Sequence, residues 1–308
     1  ERTLVPYYNF FEEQGIKYDT DGGKLPLHIN GKLAPGDFKI AGNVSSQFIS
    51  GLMFALPLLN GDSSISVTGE LESKPYVDMT IKVLDDFSIH IENCGCRTFK
   101  ISGGQKYRAT EYTLPGDFSQ AAFWLTAGTL GSDVECSGLD MNSIQGDKSI
   151  IDIIGEMGGR IVADKDIFRA IPADTKGIAI DASQCPDLVP ILAVLGALSR
   201  GRTVIAKAGR LRLKESDRLK AVSSELNKIG ACIKEMRDGL VIDGRETLKG
   251  GKAESWNDHR IVMALAIAAT RCEKPVTISN ADCVKKSYPD FWEHYKALGG
   301  KIDERNMG

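Results

Sequence analysis

The sequence lacks both a long apolar run and an excess of charge of one sign. Its longest apolar stretch, residues 261–270, is far shorter than the ~20 residues that a helix needs to span a membrane. The 38 basic and 41 acidic residues give a net charge of −3, which favours neither nucleic acid nor an anionic membrane surface as a partner. These absences are typical of an ordinary soluble protein and leave the class of ligand open.

The seven cysteines also lack a metal-binding spacing. Cys94 and Cys96 are the closest pair, and neither a second pair nor a histidine stands at zinc spacing from them. A metal site at this pair is the weaker alternative to reduced thiols in a cytosolic protein. The sequence therefore predicts a cytoplasmic protein without a metal site.

A pattern of about 70 residues repeats along the 308-residue chain, which is long enough for two hydrophobic cores. Each repeat has a polar helix start, an apolar helix, a strand, a second helix and a Gly-x-Ile phrase before a further strand. Asp or Ser at the helix start is expected to act as an N-cap. The four starts are Val44-Ser45-Ser46-Gln47, Asp117-Phe118-Ser119, Asp187-Leu188-Val189 and Asp258-His259-Arg260.

The apolar helices are predicted at residues 51–59, 121–128, 191–198 and 262–269. Because small and apolar residues cover all their sides, these helices should be buried. One sheet with two helices cannot bury its apolar face alone, so several units should share a core of helices with strands outside. The predicted fold class is α/β (α+β), built from repeated sheet-plus-two-helix units.

The chain is expected to begin inside a repeat. Val5–Glu13 followed by Gly15-Ile16 matches the end of a second helix, which leaves four whole units and a fragment of a fifth. Since no initiator Met is present, we expect a truncated chain. A protein that begins naturally in mid-unit is the alternative.

The densest cluster of charge lies at residues 210–218. Four cations and two carboxylates occur within nine residues, just before a helix predicted at about 219–228. Lys214 and Arg218 are four apart and would share one face of a helix. Such a cluster suits an anion with several oxygens, whereas a solvated, self-paired charge run is the alternative.

Two further clusters occupy helix starts. Capping explains Asp258, but Arg260 at the mouth of an apolar helix would be costly to bury unpaired, and an anionic ligand would satisfy it. Ser45, Ser46 and Gln47, with Ser73 and Tyr76 further on, are suited to phosphate, although capping alone gives the same sequence. Asp187 is a carboxylate expected to face the cations, and Lys286 should open the last second helix.

Five phrases together resemble the 5-enolpyruvylshikimate-3-phosphate (EPSP) synthase family of enolpyruvyl transferases. They occur in the family's order and span essentially the whole chain: Ser45-Ser46-Gln47-Phe48, Ser73-Lys74-Pro75-Tyr76, Lys214-Glu215-Ser216-Asp217-Arg218, Asn257-Asp258-His259-Arg260 and Lys286-Ser287-Tyr288-Pro289-Asp290. The resemblance implies an inside-out α/β barrel in two domains. Residues 1–115 would be the remainder of the first domain, with about one and a half N-terminal units missing, and residues 116–308 the second.

The resemblance also implies the reaction and the roles of the residues. The enolpyruvyl group of phosphoenolpyruvate would pass to the 5-hydroxyl of shikimate 3-phosphate by addition and elimination through a tetrahedral intermediate, in aromatic amino acid biosynthesis. Neither a metal nor an organic cofactor is expected. Asp187, Glu215 and Lys286 are the implied catalytic residues. The implied ligands of shikimate 3-phosphate are Ser45, Ser46, Gln47, Ser73, Tyr76, Asp187, Arg210 and Lys214, and those of phosphoenolpyruvate are Gln47, Arg218, Arg260 and Lys286.

The sequence departs from the family pattern in two places. Arg210 stands where many members carry Asn, which puts its role in doubt. The family's N-terminal Lys-Ser pair, a nearby Arg, its Gly-rich loop and a further Arg are absent, and the loop holds a determinant of inhibition by glyphosate, the family's known inhibitor. Because electrostatic stabilisation is usually the largest catalytic contribution, we expect this chain by itself to be inactive or nearly so. The full-length protein is expected to be a monomer that binds small molecules only.

Two alternatives stay open at this point. The related transferase that acts on UDP-N-acetylglucosamine shares the fold but usually carries a reactive cysteine on a mobile loop, and none of the seven cysteines has such a context. The other alternative is a non-catalytic repeat remnant that binds an anion or a partner.

Overall fold

The chain forms two compact units in the computed structural model, which describes residues 4–43 and 45–304. The first unit runs to Leu114 and includes Ile144–Gly146; the second comprises Pro115–Ser143 and the chain from Asp147 on. Each unit has a hydrophobic core of its own, so the prediction of two cores is confirmed. The assignment of residues 1–115 and 116–308 to two family domains stays a prediction. No helix in the described part of the chain is long and apolar enough to cross a membrane.

The first unit holds three helices and six strands among its described residues. A terminal helix and a hairpin precede a four-stranded sheet that two helices cover. In chain order the elements are α1 (Val5–Glu13), β1 (Lys17–Asp21), β2 (Lys24–Asn30), β3 (Asp37–Ala41), α2 (Ser46–Ala55), β4 (Ser63–Thr68), α3 (Lys74–Asp86), β5 (Ile91–Cys94) and β6 (Thr98–Ile101).

The second unit contains three repeats of the same kind. Its described elements are α4 (Phe118–Leu130), β7 (Val134–Cys136), α5 (Ile150–Glu156), β8 (Arg160–Asp164), β9 (Ile167–Ile171), β10 (Ala179–Asp181), α6 (Val189–Ala197), β11 (Arg202–Ala206), α7 (Arg218–Lys228), β12 (Ile233–Met236), β13 (Gly239–Asp243), β14 (Gly251–Glu254), α8 (His259–Ala269), β15 (Val276–Ser279) and α9 (Phe291–Ala297).

The sheets show the repeat directly. The order β3-β4-β6-β5 in the first unit and β10-β11-β13-β12 in the second has the same pairing, with the first two strands parallel and the others antiparallel. Strands β14 and β15 are also parallel. Because parallel strands end at the same edge of a sheet, the residues that follow each pair lie side by side. The predicted helix starts at Ser45, Asp187 and Asp258 each follow the first strand of such a pair, whereas Asp117 does not.

Three of the four apolar helices are buried as predicted, whereas the one predicted at residues 51–59 exposes Phe54 and Leu58. All nine residues of α6, and all residues of α4 except Gln120, are buried. Ser45, Asp117 and Asp258 cap α2, α4 and α8, each accepting a backbone N–H two residues on. These three capping predictions are confirmed, while Val44 lies outside the described residues.

Two predictions about helix starts are wrong. Asp187 lies in a short 3₁₀ turn, Pro186–Leu188, and Leu188 rather than Asp187 is the N-cap of α6. Lys286 ends the 3₁₀ segment Ala281–Lys286, ahead of α9, rather than opening that helix. In both places a 3₁₀ turn replaces the first turn of the expected helix, which leaves a charged side chain at the sheet edge.

Candidate active site

Asp187 lies at the centre of a cluster of cations in the second unit. Its Oδ1 atom is 3.2 Å from Lys214 Nζ and 2.9 Å from Arg218 Nη1, and its Oδ2 atom is 3.6 Å from Arg260 Nη2. Asp187 follows β10 and Lys214 follows β11, so the parallel pairing of these strands brings them together. The structure thus confirms that this carboxylate faces the predicted cations.

Arg218 is almost fully buried and is held by three carboxylates. Its Nε and Nη2 atoms donate to Asp258 at 2.8 and 3.2 Å, Nη1 donates to Asp187 at 2.9 Å, and Nη2 donates to Glu215 at 2.6 Å. The Arg218 side chain is 2% exposed. Two N–H groups on one carboxylate form the fork geometry that suits Arg and that Lys cannot reproduce.

The predicted helical face of Lys214 and Arg218 is wrong. Helix α7 begins at Arg218, and Lys214 ends the preceding 3₁₀ segment in an extended conformation. The two side chains still meet because both reach the Asp187 carboxylate. A shared counter-ion, rather than helical spacing, brings them together.

Arg260 is buried at the start of α8, as the sequence indicated. Its Nη2 atom donates to Ser119 Oγ at 3.0 Å, and its Nη1 atom donates to the Ser119 and Asp187 carbonyls at 3.3 and 3.4 Å. Its Nε atom has no hydrogen-bond partner within the described residues. The Nε–H group of this buried guanidinium can therefore donate a hydrogen bond to an anion.

The charges of the cluster are fixed by their neighbours. Burial alone would raise the pKa of Asp187, but the positive charges of Arg260, Lys214 and Arg218 hold it well below its ordinary value. Burial likewise works against ionisation of Asp258, and Arg218 lowers the pKa of Asp258 below its ordinary value. Both carboxylates are therefore ionised at neutral pH.

His259, beside Arg260, should make stability depend on pH. Burial, and then the charge of Arg260, lowers the pKa of His259 to about 4. The unfolded chain binds this proton below about pH 6.5 while the folded chain does not. We expect the free energy of unfolding to fall by up to ~3 kcal/mol as the pH drops from 6.5 to 4.

Urea unfolding at several pH values measures this effect in the wild type, in His259→Gln, and in the exposed-site control His28→Gln. Asp187 and Asp258 have lowered pKa values, so their contributions are present above about pH 4 and are lost only below it. The two pH windows are therefore separate. An equally steep loss between pH 6.5 and 4 in His259→Gln would contradict the assignment.

Some residues of the site were not found by sequence reasoning. Asp258 was predicted only as a cap, yet it is the bidentate partner of Arg218. Ser119 was only a helix start, yet it binds Arg260. Both belong to helix starts of the repeat, which was the available signal.

Arg212 had no such signal. Its guanidinium ties the 3₁₀ segment Gly209–Leu213 to the N-cap Asp217, to Glu235 and to the carbonyls of Met236 and Arg237. Arg212 therefore fixes the segment that carries Lys214. Arg210 lies half-buried in the same segment, and its role stays a prediction.

The predicted residues of the first unit meet at one edge of its sheet. Ser45, Ser46 and Gln47 follow β3, while Ser73 and Tyr76 follow β4, which is parallel to β3. Helices α2 and α3 pack one turn further in, where Ser50 Oγ lies 2.7 Å from Thr80 Oγ1. The roles of Ser45, Ser46, Gln47, Ser73 and Tyr76 stay predictions.

Within residues 4–43 and 45–304, no group of three or more His, Cys, Asp or Glu side chains is arranged to hold a metal ion.

The chain is similar in sequence to a known family and to curated proteins along its whole length. Residues 1–295 match the family described as EPSP synthase (3-phosphoshikimate 1-carboxyvinyltransferase). Curated proteins with the name 3-phosphoshikimate 1-carboxyvinyltransferase are 57% identical in Clostridium novyi and 54% identical in Clostridium kluyveri; each alignment covers 100% of this chain and 71% or 72% of the relative, respectively.

Solved structures show the same similarity. EPSP synthase from Acinetobacter baumannii superimposes with a TM-score of 0.80 at 25% identity, covering 98% of this chain and 72% of that one. The enolpyruvyl transferase NikO from Streptomyces tendae, at 20% identity, has a TM-score of 0.79 over 98% of this chain and 73% of that one, which shows the fold alone.

Proposed function

The chain belongs to the EPSP synthase family, and from that premise we propose how its residues carry out the family's reaction. That reaction transfers the enolpyruvyl group of phosphoenolpyruvate to the 5-hydroxyl of shikimate 3-phosphate and releases phosphate. It belongs to the shikimate pathway. The relatives compared above carry the name of the shikimate enzyme, so the alternative acting on UDP-N-acetylglucosamine is not favoured.

One observation carries the proposal: three cations of the second unit converge on a single carboxylate. Lys214, Arg218 and Arg260 all lie within 3.6 Å of Asp187. Arg218 is also balanced by Asp258 and Glu215, whereas the Nε atom of the buried Arg260 has no hydrogen-bond partner within the described residues. A carboxylate or phosphate oxygen from a substrate therefore fits the same place. Both substrates supply such groups.

The same contacts explain how Asp187 becomes a base. In the substrate-free site the surrounding cations keep its pKa low, and such a carboxylate accepts protons poorly. Substrate anions that draw Arg260 and Lys214 toward themselves weaken this hold and raise the pKa of Asp187. Binding of the anions thus activates the group that accepts the proton of the attacking hydroxyl.

The reaction then proceeds in two steps, an addition and an elimination. The 5-hydroxyl oxygen bonds to the enol carbon, its proton passes to Asp187, and the methylene carbon takes up a proton, which gives the tetrahedral intermediate. Loss of that methyl proton and of phosphate then forms the enol ether. Glu215 and Lys286 move the proton on and off the carbon. Glu215 is two-thirds buried against Arg218, and Lys286 Nζ lies 2.8 Å from the Asn257 carbonyl.

The remaining roles follow the family resemblance. Ser45, Ser46, Gln47, Ser73 and Tyr76, with Arg210 and Lys214, would bind shikimate 3-phosphate. Gln47, Arg218, Arg260 and Lys286 would bind phosphoenolpyruvate. The placement of each set at the ends of parallel strands supports these roles, because helix starts there direct backbone N–H groups toward an anion. A monomeric, cytoplasmic enzyme of full length is part of the same proposal.

Phosphate release from phosphoenolpyruvate in the presence of shikimate 3-phosphate tests the function. The assay uses the chain alone and the chain mixed with a polypeptide covering the part of the Clostridium novyi relative that it does not match. We expect turnover in the mixture and, in the mixture, a KM for phosphoenolpyruvate about tenfold higher for Lys286→Met, the loss of one charge-assisted hydrogen bond. Lys285→Met is the matched control, since Lys285 pairs with the exposed Asp282.

Three outcomes would count against the proposal. One is turnover with UDP-N-acetylglucosamine in place of shikimate 3-phosphate. Another is equal effects of the two lysine substitutions. The third is a folded protein whose thermal unfolding neither substrate shifts, since a ligand stabilises the state that it binds. This last result would favour the non-catalytic remnant.

A further inference from the structure

A left-handed turn precedes α8 at Trp256 and Asn257. Their φ angles are +53° and +54°, and Asp258 N donates to the Ser255 carbonyl at 3.0 Å, so residues 255–258 form a turn with two left-handed central residues. Glycine or asparagine usually fills such positions, and a tryptophan there is strained. A strained backbone persists where its surroundings determine it, often next to a functional site.

Glu225 on α7 holds this strained turn in place. Its carboxylate is 1% exposed, and it accepts hydrogen bonds from Trp256 Nε1 at 2.8 Å and from the Glu254 backbone N–H at 2.8 Å. Lys228 Nζ, 2.8 Å from both carboxylate oxygens, balances the charge. The buried carboxylate thus binds both the indole inside the turn and the backbone of the residue just before it.

This turn positions two residues of the candidate active site. The Asn257 carbonyl accepts the hydrogen bond from Lys286 Nζ at 2.8 Å. The next residue, Asp258, caps α8 and binds Arg218 through both carboxylate oxygens. Neither contact involves Glu225 itself. The carboxylate affects the site only through the conformation of Trp256 and Asn257.

We propose that Glu225 is a positioning residue, which holds the left-handed turn at Trp256 and Asn257 and thereby places Lys286 and Asp258 for phosphoenolpyruvate. This assignment rests on the proposed function for the ligand. It also makes a substrate-free claim, that the position of Lys286 depends on Glu225. The two claims can be tested separately.

The substrate-free claim is tested by NMR of the chain with ¹³C-methylated lysines, in which the Lys286 signal is identified with Lys286→Arg. In Glu225→Ala we expect the Lys286 signal to move toward that of exposed lysines and the Trp256 indole N–H to exchange faster. Ser199→Ala is the control: it removes a buried hydroxyl that lies 2.6 Å from Thr175 Oγ1 and so lowers stability without touching the turn. An unchanged Lys286 signal in Glu225→Ala would overturn the proposal whether or not the chain has transferase activity.

The kinetic claim is tested with the same variants in the complemented phosphate-release assay. Glu225→Ala should raise the KM for phosphoenolpyruvate about tenfold, which corresponds to the difference in backbone energy of one left-handed residue, with the KM for shikimate 3-phosphate within about twofold of wild type. Adding Asn257→Gly keeps the carbonyl and lets the left-handed turn form without the Glu225 contact. The KM of the double variant for phosphoenolpyruvate should therefore return most of the way to the wild-type value.

A merely structural role predicts something else. Glu225→Ala would then lower the thermal unfolding temperature, as Ser199→Ala does, with both KM values unchanged and no recovery on adding Asn257→Gly. Should Glu225→Ala not fold, Glu225→Gln and Trp256→Phe make the same comparison, because each weakens the hydrogen bond to the indole without emptying the site. A wild type that shows no turnover even in the complemented assay would refute the proposed function, while the NMR comparison would still decide the positioning role.

Discussion

Asp187→Asn should reduce kcat by about a thousandfold, the middle of the range for loss of a general base. The amide keeps the size and one acceptor oxygen of the carboxylate but cannot accept the proton of the attacking hydroxyl. The substitution also removes the anion that Lys214, Arg218 and Arg260 share. In the wild type these cations lie 2.9–3.6 Å from the Asp187 carboxylate. Steady-state phosphate release in the complemented assay measures the effect.

Binding should change in the opposite direction. Without Asp187 as a competitor, the cations are available to phosphoenolpyruvate, so we expect its affinity to be equal or higher in Asp187→Asn. Asp181→Asn is the matched control: Asp181 ends β10 and pairs with Lys207 at the surface, 2.7 Å away. A fall in kcat of less than tenfold, or an equal fall in the control, would remove Asp187 from the proton transfer.

Arg218→Leu should lower the free energy of unfolding by about 3–5 kcal/mol, the cost of removing one partner from a buried ion pair. The substitution leaves Asp258, which is fully buried, with an uncompensated charge, and it removes four hydrogen bonds to three carboxylates. Urea unfolding at pH 7 measures the change. Phosphoenolpyruvate binding should be lost as well.

Two comparisons make this prediction specific. Arg202→Leu breaks a similar pair with Asp243, but both side chains are about half exposed or more, so the change should stay below about 1 kcal/mol. Adding Asp258→Asn to Arg218→Leu removes the stranded charge and keeps the cap of α8, so part of the stability should return. Equal losses for Arg218→Leu and Arg202→Leu would show that burial of the pair is not what matters.

Much of the fold could be predicted because it depends on local signals. Uniformly apolar helices such as α6 have one stable environment, the core, and Asp117 and Asp258 cap helices through contacts two residues away. The repeat then placed each helix start at an equivalent position. The family and its reaction followed from phrases that are continuous in sequence. A motif whose residues are continuous in sequence can be recognised without knowing any distant contact.

The same local reasoning failed where a distant partner outweighed it. A helix was expected to bring Lys214 and Arg218 together, and Asp187 was expected to be a cap. A 3₁₀ turn before α6 instead frees the Asp187 carboxylate to accept both cations. A buried carboxylate gains more from three cations than from one backbone N–H, and nothing near it in the sequence reports those cations.

The sequence by itself therefore determined the repeat, three buried helices and three helix caps, because each depends on periodicity or on neighbours a few positions away. Only the tertiary structure decided which charges pair. The contacts of Arg218 with Asp187 and Asp258 join residues 31 and 40 positions apart, and the hold of Glu225 on Trp256 spans 31. The pairing of Asp187 with Arg218 follows from the parallel strands β10 and β11, whereas the other two join segments that no sheet pairs. The energy of a buried charge depends on every group that surrounds it.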